Sequence, residues 1–264
     1  MPNATLHKIS PPDGFQEVVA LAKTHRILLT KGLLLPMAFR NMNPMPVSFS
    51  EFPFASRDYP IVFISADQGR TFAPTLVLGL TPQQNLFAMW DDTWDRRAYL
   101  PAYVRRYPFC MTRVMVDGNE APERVACVER SAINDKGEAL FDEQGQRLAE
   151  WAQREKLLFE FETDLGRTEE MCRLLAQHRL FEPFTMQAVP NQGEPLELAG
   201  MFRISEARLF ELDAAVVQEF LHKGVLGCIY AHLISLDNFR RLLERRGALA
   251  SRLPPGKSGS RKIG

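Results

Sequence analysis

The sequence predicts an α+β protein, with a mainly antiparallel sheet in the N-terminal half and helices plus a hairpin in the C-terminal half. Short runs of β-branched and aromatic residues, separated by Pro, Gly, Asp and Asn, fill the first half of the chain. The connections between these runs are too short for the crossover helices that a parallel sheet needs. Beyond about residue 130, apolar residues recur at helical spacing instead.

The predicted strands are short runs that end at turn-forming residues. They span residues 26–30, 59–64, 75–80, 85–89, 112–116 and 124–128. Residues 42–46 and 67–70 carry the Pro, Asn, Asp and Gly that favour turns, so we expect turns there.

Helical spacing predicts two helices after residue 147. In the first, one apolar face is formed by Leu148, Trp151, Ala152, Leu158 and Phe159. Thr168 has the chemistry of an N-cap, which predicts that a second helix begins there. That helix would place Met171, Leu174 and Leu175 inward.

The remainder of the second half is predicted to contain a hairpin, helices and one further strand. The alternating segments 184–188 and 196–204 form the hairpin, with a turn at 191–193. Ser205 and Asp213 are predicted N-caps of helices at 206–212 and 214–223, and Gly224 ends the second. Residues 227–234 have strand composition, and Ser235 then caps a last helix that reaches Arg246.

The chain divides into three regions. Residues 1–130 are strand-rich, residues 131–246 are helix-rich with a hairpin, and residues 247–264 form a flexible basic tail. The first two regions are compatible with one compact unit. The tail contains Pro-Gly-Lys-Ser at 255–258, but it lacks the glycine, strand and helix of a phosphate-binding loop.

Composition excludes several classes of protein. Lys plus Arg and Asp plus Glu each number 32, so no net charge attracts a polyanion, and we expect no nucleic-acid partner. No apolar run approaches the ~20 residues that cross a bilayer. The N-terminus lacks the apolar core of a signal peptide, which favours a cytoplasmic location. Export that reads no N-terminal signal would still allow a place at the cell surface.

The cysteines and histidines show no arrangement typical of metal binding or catalysis. Four cysteines lie far apart in apolar segments, which predicts reduced, buried thiols: Cys110, Cys127, Cys172 and Cys228. His232 lies in an apolar segment and is predicted to be a satisfied core residue. The common nucleophile, zinc and dinucleotide motifs are missing from the sequence. We therefore predict no catalytic residue, no metal ligand and no cofactor.

The strongest candidate for binding is the segment 99–109, in which tyrosines and prolines surround an arginine pair. Pro101 and Pro108 fix the backbone and confine any helix to about 102–106. Such an aromatic corner either pins two layers of the core together or presents Arg105 and Arg106 to an anionic partner.

A cluster of carboxylates and indoles precedes this corner. Asp91, Asp92 and Asp95 are typical of a turn that hydrogen-bonds its own backbone, but paired carboxylates also hold cations, contact carbohydrate or divide acid and base roles. Together the two segments give nine candidate residues for binding a ligand or partner. They are Trp90, Asp91, Asp92, Trp94, Tyr99, Tyr103, Arg105, Arg106 and Tyr107.

In the order of its short motifs, the chain resembles the SapC family from about Leu6 to Arg246. The matching pieces are residues 51–53 (EFP), 59–63 (YPIVF), 78–80 (LGL), 85–87 (NLF), Trp94, 99–109 (YLPAYVRRYPF), 140–142 (LFD), 198–204 (LAGMFRI) and 229–236 (IYAHLISL). The family name implies a component of a bacterial surface layer. Family members are also encoded near TonB-dependent receptors, which implies an intracellular role in nutrient uptake. The resemblance implies no catalytic residues.

These observations leave three hypotheses for function. The first is a non-enzymatic binding or structural protein associated with the surface layer. The second is a cytoplasmic accessory or regulatory protein that binds a partner enzyme or a small ligand in TonB-linked nutrient uptake. The third is an enzyme whose site combines the carboxylates at 91–95 with Arg105 or Arg106. A protein partner, a small ligand and a homo-oligomer are all compatible with the sequence.

Overall fold

The computed structural model describes residues 11–116, 119–188 and 195–250, and these form an α+β fold with antiparallel sheets. The strands are β1 (Val18–Ala20), β2 (Arg26–Ile27), β3 (Met45–Pro46), β4 (Ile61–Ile64), β5 (Ala73–Leu76), β6 (Phe109–Val116), β7 (Asn119–Glu129), β8 (Glu138–Ala139), β9 (Phe181–Ala188) and β10 (Leu196–Ile204). The α-helices are α1 (Phe52–Ala55), α2 (Ala102–Arg105), α3 (Ala149–Gln177), α4 (Glu206–Phe210), α5 (Ala214–His222), α6 (Val225–Ser235) and α7 (Asn238–Ala250). The predicted fold class is confirmed.

The largest sheet combines strands from both halves of the chain. Its strand order is β3-β5-β4-β10-β9, and each pair of neighbouring strands in it is antiparallel. The predicted hairpin is confirmed as β9 and β10, and β10 meets β4 where Phe202 faces Phe63. The turn predicted at 191–193 lies outside the described residues. A second sheet has the order β1-β7-β6, and β2 pairs with β8.

Helix α6 packs where β4 and β10 separate. The buried His232 accepts the Ile204 amide hydrogen at Nε2 (3.1 Å), and its Nδ1 lies 2.8 Å from the Ile61 carbonyl oxygen. The tautomer with its proton on Nδ1 satisfies both contacts. Ser235 Oγ accepts the Ile61 amide hydrogen at 2.9 Å. Helix α6 therefore replaces β-ladder bonds with side-chain bonds, and His232 is confirmed as a satisfied core residue.

The strand predicted at 227–234 is wrong, because these residues belong to α6. A short, continuously apolar run fits a buried helix as well as a buried strand. The deeply buried positions Val225, Cys228, Ile229 and His232 follow helical spacing. Ser235 ends α6 and does not cap the last helix, which begins at Asn238.

The two helices predicted after residue 147 are one helix, the 29-residue α3. Thr168 is not an N-cap. Its hydroxyl donates to the Asp164 carbonyl oxygen within the helix and accepts the Phe49 amide hydrogen at 2.9 Å. The hydroxyl therefore satisfies the start of the short 3₁₀ helix Phe49–Glu51 rather than the start of its own helix. Of the apolar face predicted for this helix, Trp151 and Leu158 are buried, whereas Leu148 and Ala152 are exposed and Phe159 is 54% exposed.

Predicted strands in the first half differ in length from those observed. The strands near residues 60, 112 and 124 are confirmed. The strand predicted at 26–30 is shorter, and the one predicted at 75–80 lies earlier in the chain, as β5. Residues 85–89 form no strand, because the Asn85 side chain accepts the Phe87 amide hydrogen and holds a turn. The predicted turn at 42–46 ends in β3. In the tail, residues 247–250 continue α7, and later residues lie outside the described part.

The four cysteines are buried and form no disulfide, as predicted. The larger apolar core fills the space between the main sheet, α6, α7 and the second half of α3. The smaller core joins Phe109 to Trp151 and Ile27. In segment 99–107, Tyr103 and Tyr107 pack in or against the larger core, whereas Tyr99 contacts Phe54 of α1.

Candidate functional site

The nine candidate residues occupy three different environments. Trp90, Asp91 and Asp92 lie on an exposed turn; Trp94, Tyr103, Arg106 and Tyr107 pack in the core or against it; Tyr99 and Arg105 line a cleft. The residues therefore do not form a single site.

The exposed turn is held together by its own side chains. Trp90 is 91% exposed. Asp91 accepts hydrogen bonds from the Thr93 hydroxyl at 2.6 Å and from the Thr93 amide at 3.2 Å, which lowers the pKa of the Asp91 carboxyl. Asp92 has φ of +62° and pairs with Arg40. This is the geometry of the backbone-bonded turn.

Asp95 is buried and links this turn to α7. Its carboxylate accepts hydrogen bonds from Arg97 and from Arg245, whose Nη1 lies 2.8 Å away. Burial raises the pKa of Asp95, but the hydrogen bonds from the two arginines outweigh it and bring the pKa to about 2. Asp95 is therefore an ionised, structural carboxylate that faces α7 rather than Asp91.

Trp94 is fully buried and belongs to the core. Its indole nitrogen donates to the Tyr59 hydroxyl (3.0 Å) and to the Tyr99 carbonyl oxygen (3.1 Å). Its ring stacks on Phe87 with 6.0 Å between centroids. Trp94 thus fixes the backbone at the start of the aromatic corner.

Arg106 is also a core residue, with 4% exposure. Its guanidinium carbon lies 4.1 Å from the ring centroid of Tyr103, 4.8 Å from that of Phe161 and 5.5 Å from that of Phe15. Tyr107 packs against Phe15 with 5.3 Å between centroids. These rings hold the layers of the core together. This is the structural one of the two roles that the sequence allows for segment 99–109.

Tyr99 and Arg105 line an open cleft of about 680 Å³ between α1 and the first half of α3. Phe54 contributes one wall, and Lys156 and Phe159 on α3 contribute the other. The prolines on either side of α2 limit it to Ala102–Arg105, as predicted, and this short helix delivers Arg105 to the rim.

Glu51 forms the buried floor of the cleft, and the candidate set did not include it. One carboxylate oxygen accepts the Ala102 amide hydrogen (2.6 Å) and the Tyr99 hydroxyl (3.1 Å). The other accepts the amide and hydroxyl of Ser48 at 3.0 and 2.8 Å. The Ser-x-x-Glu spacing of Ser48 and Glu51 is a capping-box pattern that could have identified the local part of this arrangement.

A hydrogen-bond chain positions Arg105. Its Nη2 donates to the Tyr99 hydroxyl at 3.0 Å, and that hydroxyl donates to Glu51. Burial and the nearby Glu51 carboxylate raise the pKa of Tyr99, so the phenol keeps its proton. The Arg105 guanidinium also lies 5.7 Å from the Tyr99 ring centroid. The chain holds one cationic side chain at the cleft.

Exposed rings lie on both walls beside Arg105. Phe54 stacks on Tyr99 with 5.8 Å between centroids and a 21° interplanar angle. Phe54 is 51% exposed, similar to Phe159 across the cleft, and the guanidinium of Arg57 lies 5.8 Å from the Phe54 ring. The stacked rings of Phe54 and Tyr99 therefore lie between the guanidinium groups of Arg57 and Arg105, and Arg105 lines the cleft.

The other charges of the cleft are already paired. Lys156 lies 3.7 Å from Glu160, and Asp164 binds Ser50 and Arg167. Among the described residues, no carboxylate forms an ion pair with Arg105. Arg105 is consequently the cation of the cleft that can accept an anionic group from outside.

The carboxylates at 91–95 do not line this cleft, so the structure does not bring them together with Arg105. In the part of the chain that the structure describes, no cluster of three or more His, Cys, Asp or Glu side chains could hold a metal ion. The arrangement at Tyr99 and Arg105 is suited to recognition through charge and aromatic contact.

The family model described as SapC matches residues 23–242, which is most of the chain. No curated protein and no solved structure matches. Among the helices of residues 11–116, 119–188 and 195–250, none has the length and apolar content to cross a membrane.

Proposed function

The chain belongs to the SapC family, and from that premise we propose that it is a non-enzymatic binding protein that holds a segment of a partner protein in the cleft at Tyr99 and Arg105. The observation that carries this proposal is Arg105, fixed by the Tyr99 hydroxyl and bordered by exposed rings. A cation that is already oriented loses little conformational freedom when it binds a carboxylate.

Two features of the cleft suggest the chemistry of the bound segment. The half-exposed Phe54 and Phe159 would be covered by an apolar or aromatic side chain, with a gain from buried apolar surface. Arg105 would receive a carboxylate in a bidentate contact. A segment with an acidic residue beside an aromatic or aliphatic residue meets both requirements.

The polar groups of the cleft favour binding over catalysis. The Glu51 carboxylate already accepts four hydrogen bonds, so it is poorly placed to take a proton from a substrate. Burial and the Glu51 carboxylate raise the pKa of Tyr99, so the phenol stays protonated, donates a hydrogen bond to Glu51 and is not available as a general base.

The family resemblance implies two settings for this binding. In one, the protein is associated with the bacterial surface layer. In the other, it is a cytoplasmic accessory protein that binds a partner enzyme in TonB-linked nutrient uptake. Cell fractionation separates these settings, because a surface-bound pool supports the first and a wholly cytosolic pool supports the second.

Photo-crosslinking inside the cell tests the proposed cleft. Benzoylphenylalanine placed at Phe159 should capture one partner, whereas the same group at Phe210, which is 79% exposed and outside the cleft, should not. Adding Arg105→Ala should remove the adduct formed at position 159. The proposal fails if both positions capture the same proteins, or if Arg105→Ala leaves the adduct unchanged.

A further inference from the structure

Trp90 has the largest exposed fraction among the large apolar side chains of the described residues, at 91%. The other two tryptophans, Trp94 and Trp151, are both buried. An indole in the position of Trp90 leaves a large apolar area in contact with water. Tryptophan is enriched at the energetic centres of protein interfaces, so this side chain is suited to contact another molecule.

A tight turn fixes Trp90 and Asp91 at its two central positions. The Asp92 amide donates to the Met89 carbonyl oxygen at 3.2 Å, which closes the turn. Asp92 itself has φ of +62°, and a left-handed residue after a turn is common in short hairpin loops. Residues 89–93, named the Trp90 turn below, therefore present an aromatic ring beside a carboxylate in a preformed arrangement.

The Asp91 carboxylate is ionised and accessible at this turn. Its hydrogen bonds from Thr93 lower the pKa of Asp91. Both bonds reach Oδ1 of the exposed carboxylate, so Oδ2 can accept a bond from another molecule. Asp92, in contrast, pairs with Arg40 of the same chain. The Trp90 turn thus offers one exposed ring and one negative charge to a binding surface.

The Trp90 turn carries the two groups that the cleft at Arg105 requires in a bound segment. The Asp91 carboxylate would bond to Arg105, and the Trp90 ring would cover Phe54 and Phe159 on the cleft walls. A cleft of about 680 Å³ has room for both groups. Trp90 does not line this cleft and is exposed, so a turn that fills it would come from a second copy of the chain.

We propose that the Trp90 turn of one copy binds in the cleft at Arg105 of a second copy. This inference rests on the proposed function, because it uses the same cleft. Self-association would cover the cleft of the free protein, so another partner has to compete for it. The contact joins two unlike surfaces, and each pair of copies keeps one free turn and one free cleft. Association therefore continues to larger assemblies or closes into a ring.

A lipid surface fits the Trp90 turn less well than the cleft does. Asp91 and Asp92 follow the ring directly, and insertion of the ring into a membrane would bring their charges towards the apolar region. In the cleft, the charge of Asp91 meets Arg105 instead. The carboxylates beside the ring thus favour a protein surface that carries a cation.

Sedimentation velocity of the full chain over a range of concentrations tests the self-association. One turn in one cleft is a small interface, so we expect a dissociation constant of about 10–100 µM. Trp90→Ala and Arg105→Ala should each raise it at least about 10-fold. Phe210→Ala is the matched control and should associate like the parent, because Phe210 is 79% exposed and precedes a glutamate but lies on α4 rather than on a turn.

A mixture of the two weakened variants identifies the contact as one between turn and cleft. Trp90→Ala keeps an intact cleft, and Arg105→Ala keeps an intact turn. The equimolar mixture should therefore form dimers with the affinity of the parent and should not grow further, because the remaining turn and the remaining cleft are both altered. A contact between two identical surfaces would not be restored by mixing.

Crosslinking separates a failure of this inference from a failure of the proposed function. Benzoylphenylalanine at Phe159 of the purified protein should capture the Trp90 turn of a second copy, which mass spectrometry of the adduct identifies. The inference is overturned if the parent stays monomeric up to about 300 µM or if the mixture does not associate. It is also overturned if Trp90 binds phosphatidylcholine vesicles while the chain stays monomeric. In each case the proposed function stands if position 159 captures a different protein in the cell, and it fails if that position captures none.

Discussion

Arg105 and Arg106 are neighbours in sequence, yet Arg105 lines an open cleft while Arg106 is enclosed by the rings of the core. The guanidinium carbon of Arg106 lies within 5.5 Å of three ring centroids, and Arg105 bonds to the Tyr99 hydroxyl at the rim. A change of both residues together would mix a loss of stability with a loss of binding. Single changes separate the two roles.

Replacing each arginine with methionine should have unequal effects on stability. Arg106→Met removes cation–π contacts inside the core, so we expect the free energy of unfolding to fall by roughly 2–4 kcal/mol. Arg105→Met acts at the cleft and should change the free energy of unfolding by less than about 1 kcal/mol. Urea denaturation followed by circular dichroism measures both values. Equal losses would show that Arg105 is also a structural residue.

Glu51→Gln should destabilise the protein, because an amide cannot accept all of the hydrogen bonds that the carboxylate accepts. The new NH₂ group would face the donors of Ser48 or of Ala102 and Tyr99. We expect a loss of roughly 2–3 kcal/mol in the free energy of unfolding.

The matched control for Glu51 is Glu160→Gln. Glu160 is exposed on the cleft wall and pairs with Lys156. Glu160→Gln should therefore change the free energy of unfolding by less than about 0.5 kcal/mol. Thermal and urea unfolding of the two variants under one set of conditions provide the comparison. A stability of Glu51→Gln close to that of the control would contradict the buried floor described for the cleft.

His232 should make stability depend on pH below neutrality. Burial lowers the pKa of His232 to about 4, although its bond to Ile61 opposes the shift. An unfolded chain has a histidine pKa of about 6.5, so it binds the proton first as the pH falls. The neutral, buried His232 therefore contributes fully to stability above about pH 6.5. The free energy of unfolding then declines by about 3 kcal/mol as the pH falls towards 4.

Two measurements check the role of His232. The imidazole NMR signals should show no titration between pH 8 and about pH 5 in the folded protein. The pH dependence of unfolding should flatten in this interval when His232→Gln replaces the imidazole. Titration of the folded protein near pH 6.5 would show that the imidazole is not enclosed between Ile61 and Ile204.

Glycine substitutions test the assignment of α6 as a helix. Gly227 lies exposed in α6, and an added Cβ would meet no atom within 4 Å, so Gly227→Ala should stabilise the protein by about 0.5–1 kcal/mol. Gly79→Ala is the contrasting change, because its Cβ would lie 2.1 Å from the Gln84 carbonyl oxygen; it should cost at least about 2 kcal/mol. Differential scanning calorimetry measures both. Destabilisation by Gly227→Ala would contradict the helix.

The sequence predicted those elements whose signals are local. Pro101 and Pro108 limited α2, and the alternation in 184–188 and 196–204 identified the hairpin. The run at 227–234 has the composition of a strand because exposed positions such as Tyr230 and Ile234 are apolar like its buried ones, so the sequence shows no helical period. Thr168 has the local pattern of a cap, whereas its bond to Phe49, 119 residues away in the chain, has no local signal.

The candidate site was predicted only in part, for a similar reason. Tyr99 and Arg105 carry a local aromatic and basic pattern, so sequence alone could select them. Glu51 and Phe159 reach the cleft from distant segments, and the packing of the 3₁₀ helix Phe49–Glu51 against α3 brings them together. The same packing separates Arg105 from Arg106, a distinction that the repeated arginine cannot reveal.

The most direct test of the account is the affinity of the partner captured at Phe159, measured by titration calorimetry with purified proteins. Arg105→Ala should raise the dissociation constant at least about 10-fold while the melting temperature stays within about 2 °C of the parent, because the charge contacts the partner and not the core. The dissociation constant of Arg105→Lys should lie between those of the parent and of Arg105→Ala, since lysine keeps the charge without the planar fork. An unchanged dissociation constant for Arg105→Ala would contradict the proposal that this cleft binds the partner.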